Sequence, residues 1–465
     1  MKKAEIYYFT LTDEMPREDK LAWFENTQFK QIEFDKVLPD EKGNWLNLTD
    51  NDFESLMPLI DKDVKANKSE KAIFKLFSTG VLTARDECVY DFEISNLKNK
   101  VEYFFERYNN ALLTMKINNN ISEIGTEIKW SRNLKNYLTR GIDLRFEVKN
   151  IVRCLKRPFY MPYLYFDKGM NDEIGYFKKI LQKDNKIIGI NNGSDKFASI
   201  VSSYVFDFAS LINAGGQTQC MPLYNFDETG NRHDNITDWA LNEFKNYYEN
   251  PEYRLKSVLQ KIDIFHYVYA VLHNPEYRTK YELNLKRDFP RVPLYKDFWQ
   301  WVNYGQQLME LHLNYETIEK YPLTRIDLNP PESPFKKGGG NTVPNFNKGG
   351  SKEHKNNSPF EKGARGILKA KLKADKIKGL ILIDDKTHLS EIPELAWEYK
   401  LGNRSALEWI LDQYKEKTPK DKIIAEQFNS YRFSDYKEFV IDLLMRVTMV
   451  SIETVKITNI LIKLE

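Results

Sequence analysis

Cysteine is scarce in this chain. Cys88, Cys154 and Cys220 are far apart, and no CxxC or Cys/His spacing occurs in its 465 residues. That argues against a disulfide framework or a zinc site and fits a reducing cytoplasm. Long apolar runs are missing as well. The opening stretch "MKKAEIYYFTLTDEMPRED" has no apolar core long enough for a signal peptide, and no run approaches a membrane span. No membrane partner is expected. Neither sign of charge dominates: 69 Lys and Arg oppose 67 Asp and Glu, a formal net charge of +2. With no global basic field, any nucleic-acid site must be a local patch.

Catalytic motifs are equally sparse. The sequence holds no phosphate-binding Gly-rich loop ending in Lys, no nucleophile elbow and no HExxH helix. "NPPE" at 329–332 approaches the Asn-Pro-Pro-aromatic signature of amino-methyltransferases acting on DNA, but Glu332 stands where an aromatic would stack on a flipped base. No glycine-rich loop for S-adenosylmethionine precedes it. "EYK" at 398–400 matches the end of a nuclease metal motif, yet lacks the upstream Asp that would complete it. Neither a cofactor nor a metal is expected.

What the chain has in quantity is aromatic surface: 27 Tyr and 28 Phe bring aromatics to 14% beside 42% hydrophobic residues overall. Such a surplus stiffens cores or offers faces for stacking on bases. "AEIYYFTL" reads as a strand and "PREDKLAWFEN" as a short helix. A strand so near Met1 is expected to be the last of a sheet whose other members are missing, lying at an edge or packing poorly. "CVYDFEI", "YLYFD" and "KIIGINN" read as strands, and "SNLKNKVEYFFERYNNALL" as a helix with Leu97, Val101, Phe104, Phe105 and Tyr108 on one face. Asn274-Pro275 should stop one helix and start the next. "DFWQWVNYGQQLMELHLNY" is a further amphipathic helix. Residues 328–366 then turn rich in Pro, Gly, Asn and Lys, with "SPFKKG" echoed as "SPFEKG", and should form a looped-out insert. "GLILID" resumes as a strand, "SALEWILDQYKEK" as a helix, and "YKEFVIDLLMRVTMVSIETVKITNILIKL" as a helical tail.

"NRHDNITDWALNEFKNYY" gathers Arg232, His233, Asp234 and Asp238. Local physics favours a helix start over an acid–base cluster, with Asn235 as N-cap and Asp238 completing a capping box. Ile236, Trp239, Ala240, Phe244, Tyr247 and Tyr248 would form its apolar face. More informative is "EIKWSRNLKNYLTRG". Ser131 can cap a helix, Leu134 and Leu138 can face inward, and Arg132, Lys135 and Arg140 can reach outward, with Lys129 and Trp130 just before. "VRCLKRPFYMPYLYFD" follows with Arg153, Lys156 and Arg157 among aromatics. Cations interleaved with aromatics suit a phosphate backbone, although a solvated helix face followed by a core strand would read the same way. In "NAGGQTQ" the glycines should make a turn that brings Gln217, Thr218 and Gln219 near a ligand. Gln can pair with adenine there.

Taken in order, "IKWSRNLK", "KRPFYMPYLYFD", "GGQTQCMPLY", "NRHDNITDWAL", "DIFHYVYAVLHNPEYRTKYELNLKRDFPRVPLY", "LGNRSALEWILDQYKEK" and "YRFSDYKEFVIDLLMRVTMVSIETVKI" resemble the C-terminal specificity domain of type ISP restriction–modification enzymes. In that family one polypeptide carries an Mrr-like nuclease, a helicase-type ATPase, a coupling domain, an adenine methyltransferase and this domain, which reads an asymmetric DNA site. The resemblance implies a mixed α+β target recognition domain with a mostly helical C-terminal part. Its partner would be double-stranded DNA, bound through Lys129, Trp130, Arg132, Lys135, Arg140, Arg153, Lys156, Arg157, Gln217, Thr218, Gln219 and Arg404. A separately encoded methyltransferase/ATPase/nuclease polypeptide would be a second partner. The expected division is a methyltransferase remnant plus connector over 1–72, the specificity domain over 73–328, the insert over 329–366 and its helical part over 367–465. Two features depart from the family pattern: the insert, and Lys156, which stands where an aromatic is expected before Arg-Pro-Phe. A fragment of a disrupted enzyme and a methyltransferase-related enzyme are the competing readings.

Overall fold

Short β-branched and aromatic runs separated by Gly, Pro and Asn make small sheets, and longer 3.6-period segments cover them as helices. The computed structural model describes residues 4–12, 15–38, 52–118, 128–181, 184–193, 196–212, 215–248, 258–328 and 371–464. At the N-terminus, β1 (Ile6–Tyr8), α1 (Arg17–Asn26) and β2 (Asp35–Val37) form a unit of their own. β1 pairs with β2 alone, antiparallel, so both strands are edges. Val37 is its one buried side chain among the described residues, while Tyr7, Phe24 and Phe29 stay exposed. Phe53, Leu59 and Ile60 of the following connector, by contrast, join a central core.

The fold proper runs through β3 (Ser78–Thr79), α2 (Asp86–Val89), β4 (Tyr90–Asp91), α3 (Ile94–Asn118) and α4 (Arg132–Thr139). β5 (Ile151–Leu155), β6 (Tyr163–Tyr165), β7 (Ile187–Asn192), β8 (Ser199–Ser202), β9 (Val205–Phe206) and β10 (Gln217–Pro222) come next. One four-stranded sheet has the order β9-β5-β6-β4, with β9 parallel to β5 and Arg153 opposite Tyr163. A second has the order β3-β10-β7-β8. "CVYDFEI" is thus mostly not a strand: Cys88 and Val89 end α2, and Tyr90–Asp91 alone pair with β6.

Beyond the sheets lie the exposed hairpin β11 (Tyr224–Phe226) and β12 (Arg232–Asp234), then α5 (Asp238–Tyr248), α6 (Lys261–His273), α7 (Pro275–Lys280) and α8 (Phe298–Leu313). α6 stops before Asn274-Pro275 as expected, and the Asn274 side chain accepts the Glu276 N–H to open α7. The expected cap of α5 is corrected. Thr237, not Asn235, accepts the Ala240 N–H at 3.0 Å. Asn235 is fully buried and accepts the Leu76 N–H at 2.7 Å. It also donates to the carbonyls of Leu76 and Pro222, each at 2.8 Å. Those backbone groups are buried or partly buried, so the amide serves them rather than the helix end.

β13 (Thr324–Asp327), β14 (Lys373–Asp375), β15 (Leu380–Leu382) and β16 (Thr387–Ser390) form a third sheet, ordered β13-β16-β15-β14. The insert expected over 329–366 lies outside the described residues, and the strands on its two sides share this sheet. The C-terminal part therefore opens with strands before α9 (Ala406–Gln413) and α10 (Phe433–Ile462). Two hydrophobic cores result. One joins α3, α4, the first and third sheets, α9 and most of α10; the other joins the second sheet to α5 through α8. α10 reaches both, through Val455 in the first and Ile457 and Leu461 in the second. Its buried Thr448 and Ser451 hydroxyls donate back to the carbonyls of Leu444 and Val447 at 2.7 Å, so they enter the core satisfied. α6 and α8 approach so closely that a Cβ on Gly305 would fall 1.9 Å from the His266 carbonyl oxygen.

Burial lowers the pKa of His266 to about 4, aided by Lys186, and that of His312 to about 3, aided by Arg278. His273 is pushed well below its ordinary value by burial, with Arg278 and His312 adding to it. All three imidazoles are neutral in the fold and take up a proton near 6.5 once unfolded. Their stabilising contribution is complete above that pH and is lost on acidification. Stability should therefore fall between pH 6.5 and about 4, by about 1.4 kcal/mol per pH unit for each imidazole. His312→Gln should flatten that slope, and pH-independent urea midpoints between pH 7 and 5 would contradict it. Asn235→Ala, which strands the part-buried N–H and carbonyl of Leu76 and the buried carbonyl of Pro222, should cost roughly 2–5 kcal/mol in the same measurement at pH 7.

Candidate nucleic-acid interface

α4 is built as its sequence implies. Ser131 caps it by accepting the Leu134 N–H at 3.3 Å, and Leu134 and Leu138 are buried. Arg132, Lys135 and Arg140 stand exposed and make no ion pair among the described residues. Trp130 packs against Tyr108 at 5.9 Å, and exposed Lys129 donates to the Ala84 carbonyl at 2.6 Å. The helix is held from below by Arg85, which is only 4% exposed. Its guanidinium donates to Ser131 Oγ at 2.8 Å and to the Met170 carbonyl, with Asp172 at 3.7 Å. The α4 cations are thus a solvated row on a fixed base.

Arg153, Lys156 and Arg157 differ. They lie on or just after β5, and each meets a carboxylate of this chain. Arg153 pairs with Glu316 at 3.0 Å, Lys156 with Asp86 at 3.2 Å and Arg157 with Asp207 at 3.2 Å. Lys156 also sits 4.0 Å over the Tyr90 ring, whose hydroxyl donates to Asp207 at 2.7 Å. Burial works to raise the Asp86 carboxyl, but Lys156, Thr83 and Arg157 outweigh it, and its pKa falls. For Asp207 burial wins over Arg157 and Lys156, and the pKa rises. The seven cations expected to share one surface therefore divide into a solvated set on and before α4 and an internally paired set around β5.

The two sets meet at a groove of about 610 Å³ between Val81–Cys88, Asp207–Ala209 and Lys420–Asp421, lined by both Lys129 and Arg157. A second pocket of about 240 Å³ adjoins it through Asp86 and Glu87, and holds Lys100, Lys156, Tyr160, Lys415 and Lys417. Burial lowers the Lys417 pKa, and Lys156, Lys415 and Arg157 push the same way against Asp412. Carboxylates line both cavities too: Asp86, Glu87, Asp207 and Asp421 in the groove, and Asp86, Glu87 and Asp91 in the second pocket. Sequence reasoning missed Lys417 and Lys420. They lie more than 250 residues from Lys156 and Arg157, and only the fold brings them there. Glu87 ties them in, accepting the N–H groups of Lys420 and Asp421 at 2.9 and 2.8 Å.

Other expected site residues sit elsewhere. "QTQ" is not in a loop. Gly215 and Gly216, at φ +68° and +105°, make the turn, and Gln217–Gln219 already pair with β7 in β10. Thr218 is fully buried, accepting the Leu211 N–H, and Gln219 is 2% exposed. A strand inside a sheet turns alternate side chains into the cores on its two faces, so Thr218 and Gln219 are withdrawn from any surface. Gln217 stays half-buried at the strand's start. Arg404 pairs with Asp412 at 2.9 Å and lies 5.1 Å over the Trp409 ring. His233, in β12, pairs with Asp227 at 3.2 Å on the exposed hairpin. Among the described residues, no three His, Cys, Asp or Glu side chains could hold a metal together, and no helix is long and apolar enough to cross a membrane.

No curated protein matches the chain. Among solved structures, the chain is similar to the protein in a cryoEM structure of a DrdV–DNA complex, with TM-score 0.79 and 38% identity over 98% of this chain and 43% of that one. It is also similar to a nuclease-deletion mutant of the Type ISP restriction–modification enzyme LlaGI in complex with a DNA substrate mimic, with TM-score 0.73 and 26% identity over 99% and 39% of the two chains. The ATP-dependent Type ISP enzyme LlaBIII bound to DNA shares the fold, with TM-score 0.71 and 24% identity over 92% and 25%. The chain thus spans less than half of each of these proteins. The profile of the Type ISP C-terminal specificity domain matches residues 72–443, most of the chain. From the first strand of the second sheet to the middle of α10, this protein belongs to the family of Type ISP C-terminal specificity domains.

Proposed function

We propose that this chain is a sequence-specific DNA recognition module of a type ISP restriction–modification system and carries no chemistry of its own. It would act in the cytoplasm, positioning an adenine methyltransferase and an ATP-dependent translocase/nuclease on double-stranded DNA. The observation that carries the reading is the solvated row of Arg132, Lys135 and Arg140 near the groove that Lys129 and Arg157 line, in a fold whose solved relatives are DNA complexes. Side chains without internal counter-charges are free to neutralise phosphates and release counterions. Arg153 and Lys156 already have carboxylate partners in Glu316 and Asp86, so their part is to brace the strand and its exit beside the groove. Exposed Tyr7, Phe24 and Phe29 on the N-terminal unit support docking to the methyltransferase of such a system. On this reading the N-terminal unit of β1, α1 and β2 belongs with that partner, the connector that carries Phe53, Leu59 and Ile60 belongs with the recognition core, and the modules over 73–328 and 367–465 act together.

The test is binding of mixed-sequence duplex oligomers across a salt series. Arg132→Ala with Lys135→Ala should weaken binding to every duplex alike and flatten the log–log salt slope by about one unit per lost contact. Folding stability should stay within about 0.5 kcal/mol, since both side chains are solvated. An unchanged slope in the double variant would remove α4 from the interface.

A further inference from the structure

We propose that Arg157 is a guanine-reading, specificity-determining residue of the groove, a role that rests on the DNA-recognition reading above. Its guanidinium uses one end internally. Nη1 donates to the Lys156 carbonyl at 2.5 Å and to Asp207 Oδ1 at 3.2 Å. Nε and Nη2, the side-on edge, have no partner among the described residues, although Arg157 lines the groove wall. Asp207 is itself fixed. Its Oδ1 accepts the Ala209 N–H at 2.8 Å and its Oδ2 accepts the Tyr90 hydroxyl at 2.7 Å. The fork is therefore held by a carboxylate that cannot swing away, with two parallel N–H groups left over.

Two adjacent donors on a fixed plane match the O6 and N7 acceptors of guanine in the major groove. Adenine offers N7 but sets its N6 amino group where O6 would be, so one bond is lost and two donors face each other. No other cation of the set combines these properties. Lys129 lines the groove as a point charge given to the Ala84 carbonyl. Lys156 is a point charge given to Asp86, Arg153 is paired with Glu316, and the α4 side chains are solvated and unoriented. A pre-oriented Arg gives geometric selectivity that a flexible cation does not.

The experiment enriches binders from a pool of duplexes with a randomised central segment, using the full chain and its Arg157→Lys variant. Single-base variants of the enriched site are then competed. The wild type should prefer guanine at one position, and Arg157→Lys should lose roughly 5- to 100-fold of that preference while other positions hold. Asp207→Asn, with Arg157 in place, should weaken discrimination at the same position, which covers a poorly folding Arg157 variant. Unaltered base preferences in both variants would overturn the assignment. So would a uniform loss across all duplexes in Arg157→Lys, which marks a phosphate contact. If the wild type enriches no sequence and binds no duplex, the DNA-recognition reading fails and Arg157 with it. If the wild type enriches a site that the variants read equally well, Arg157 alone is excluded.

Discussion

A guanidinium taken out of water must find acceptors or it destabilises the fold, and around the groove the two terminal nitrogens of Arg85 find theirs while its buried Nε has none among the described residues. One side chain reaches the cap residue of α4, the carbonyl of Met170 and, at longer range, Asp172. The same residue begins the turn into α2, which forms one wall of the groove. A single buried charge thus ties the base of α4 to the wall of the groove. Lys100 repeats the device one layer deeper. Its ammonium meets Asp91 at 2.7 Å and the carbonyls of Tyr90 and Glu87 at 2.6 and 3.1 Å, locking α3 to α2 and β4.

Rigidity behind the site comes from α10. Because it packs into both cores, motion of the first sheet relative to the second would shear contacts along a helix of 30 residues. The groove draws on both halves. Val81 follows β3 of the second sheet, Asp207–Ala209 follow β9 of the first, and Lys420–Asp421 precede α10. A site assembled from such distant segments keeps its geometry only when the bodies behind it are packed as one. The N-terminal unit, with almost no buried surface, lies outside that arrangement.

Internal carboxylates also explain how several cations gather around the groove in a chain of nearly neutral charge. Asp86, Asp207 and Glu316 offset the three cations on and after β5, so repulsion among them does not strain the fold. Lys415 and Lys417 add charge in the adjoining pocket, and Lys420 lines the groove beside Asp421.

The sequence by itself determined those features whose physics is local. Spacing of Leu134 and Leu138 fixed which face of α4 is buried, Asn274-Pro275 fixed the break between α6 and α7, and Ser405 with Glu408 fixed the start of α9. The ordered family segments were legible too, because each is a short stretch with its own composition. Tertiary structure decided everything that depends on partners far along the chain. Asn235 looked like a helix cap until the stranded backbone of Leu76 and Pro222 claimed its amide. "QTQ" looked like a loop until pairing with β7 took it into a sheet. Arg153, Lys156 and Arg157 looked like three more exposed cations beside those of α4. Their counter-charges lie from about 50 to 160 residues away, at Asp86, Asp207 and Glu316. A side chain's propensity is a property of its neighbours in sequence, whereas its charge and hydrogen-bonding state belong to its neighbours in space.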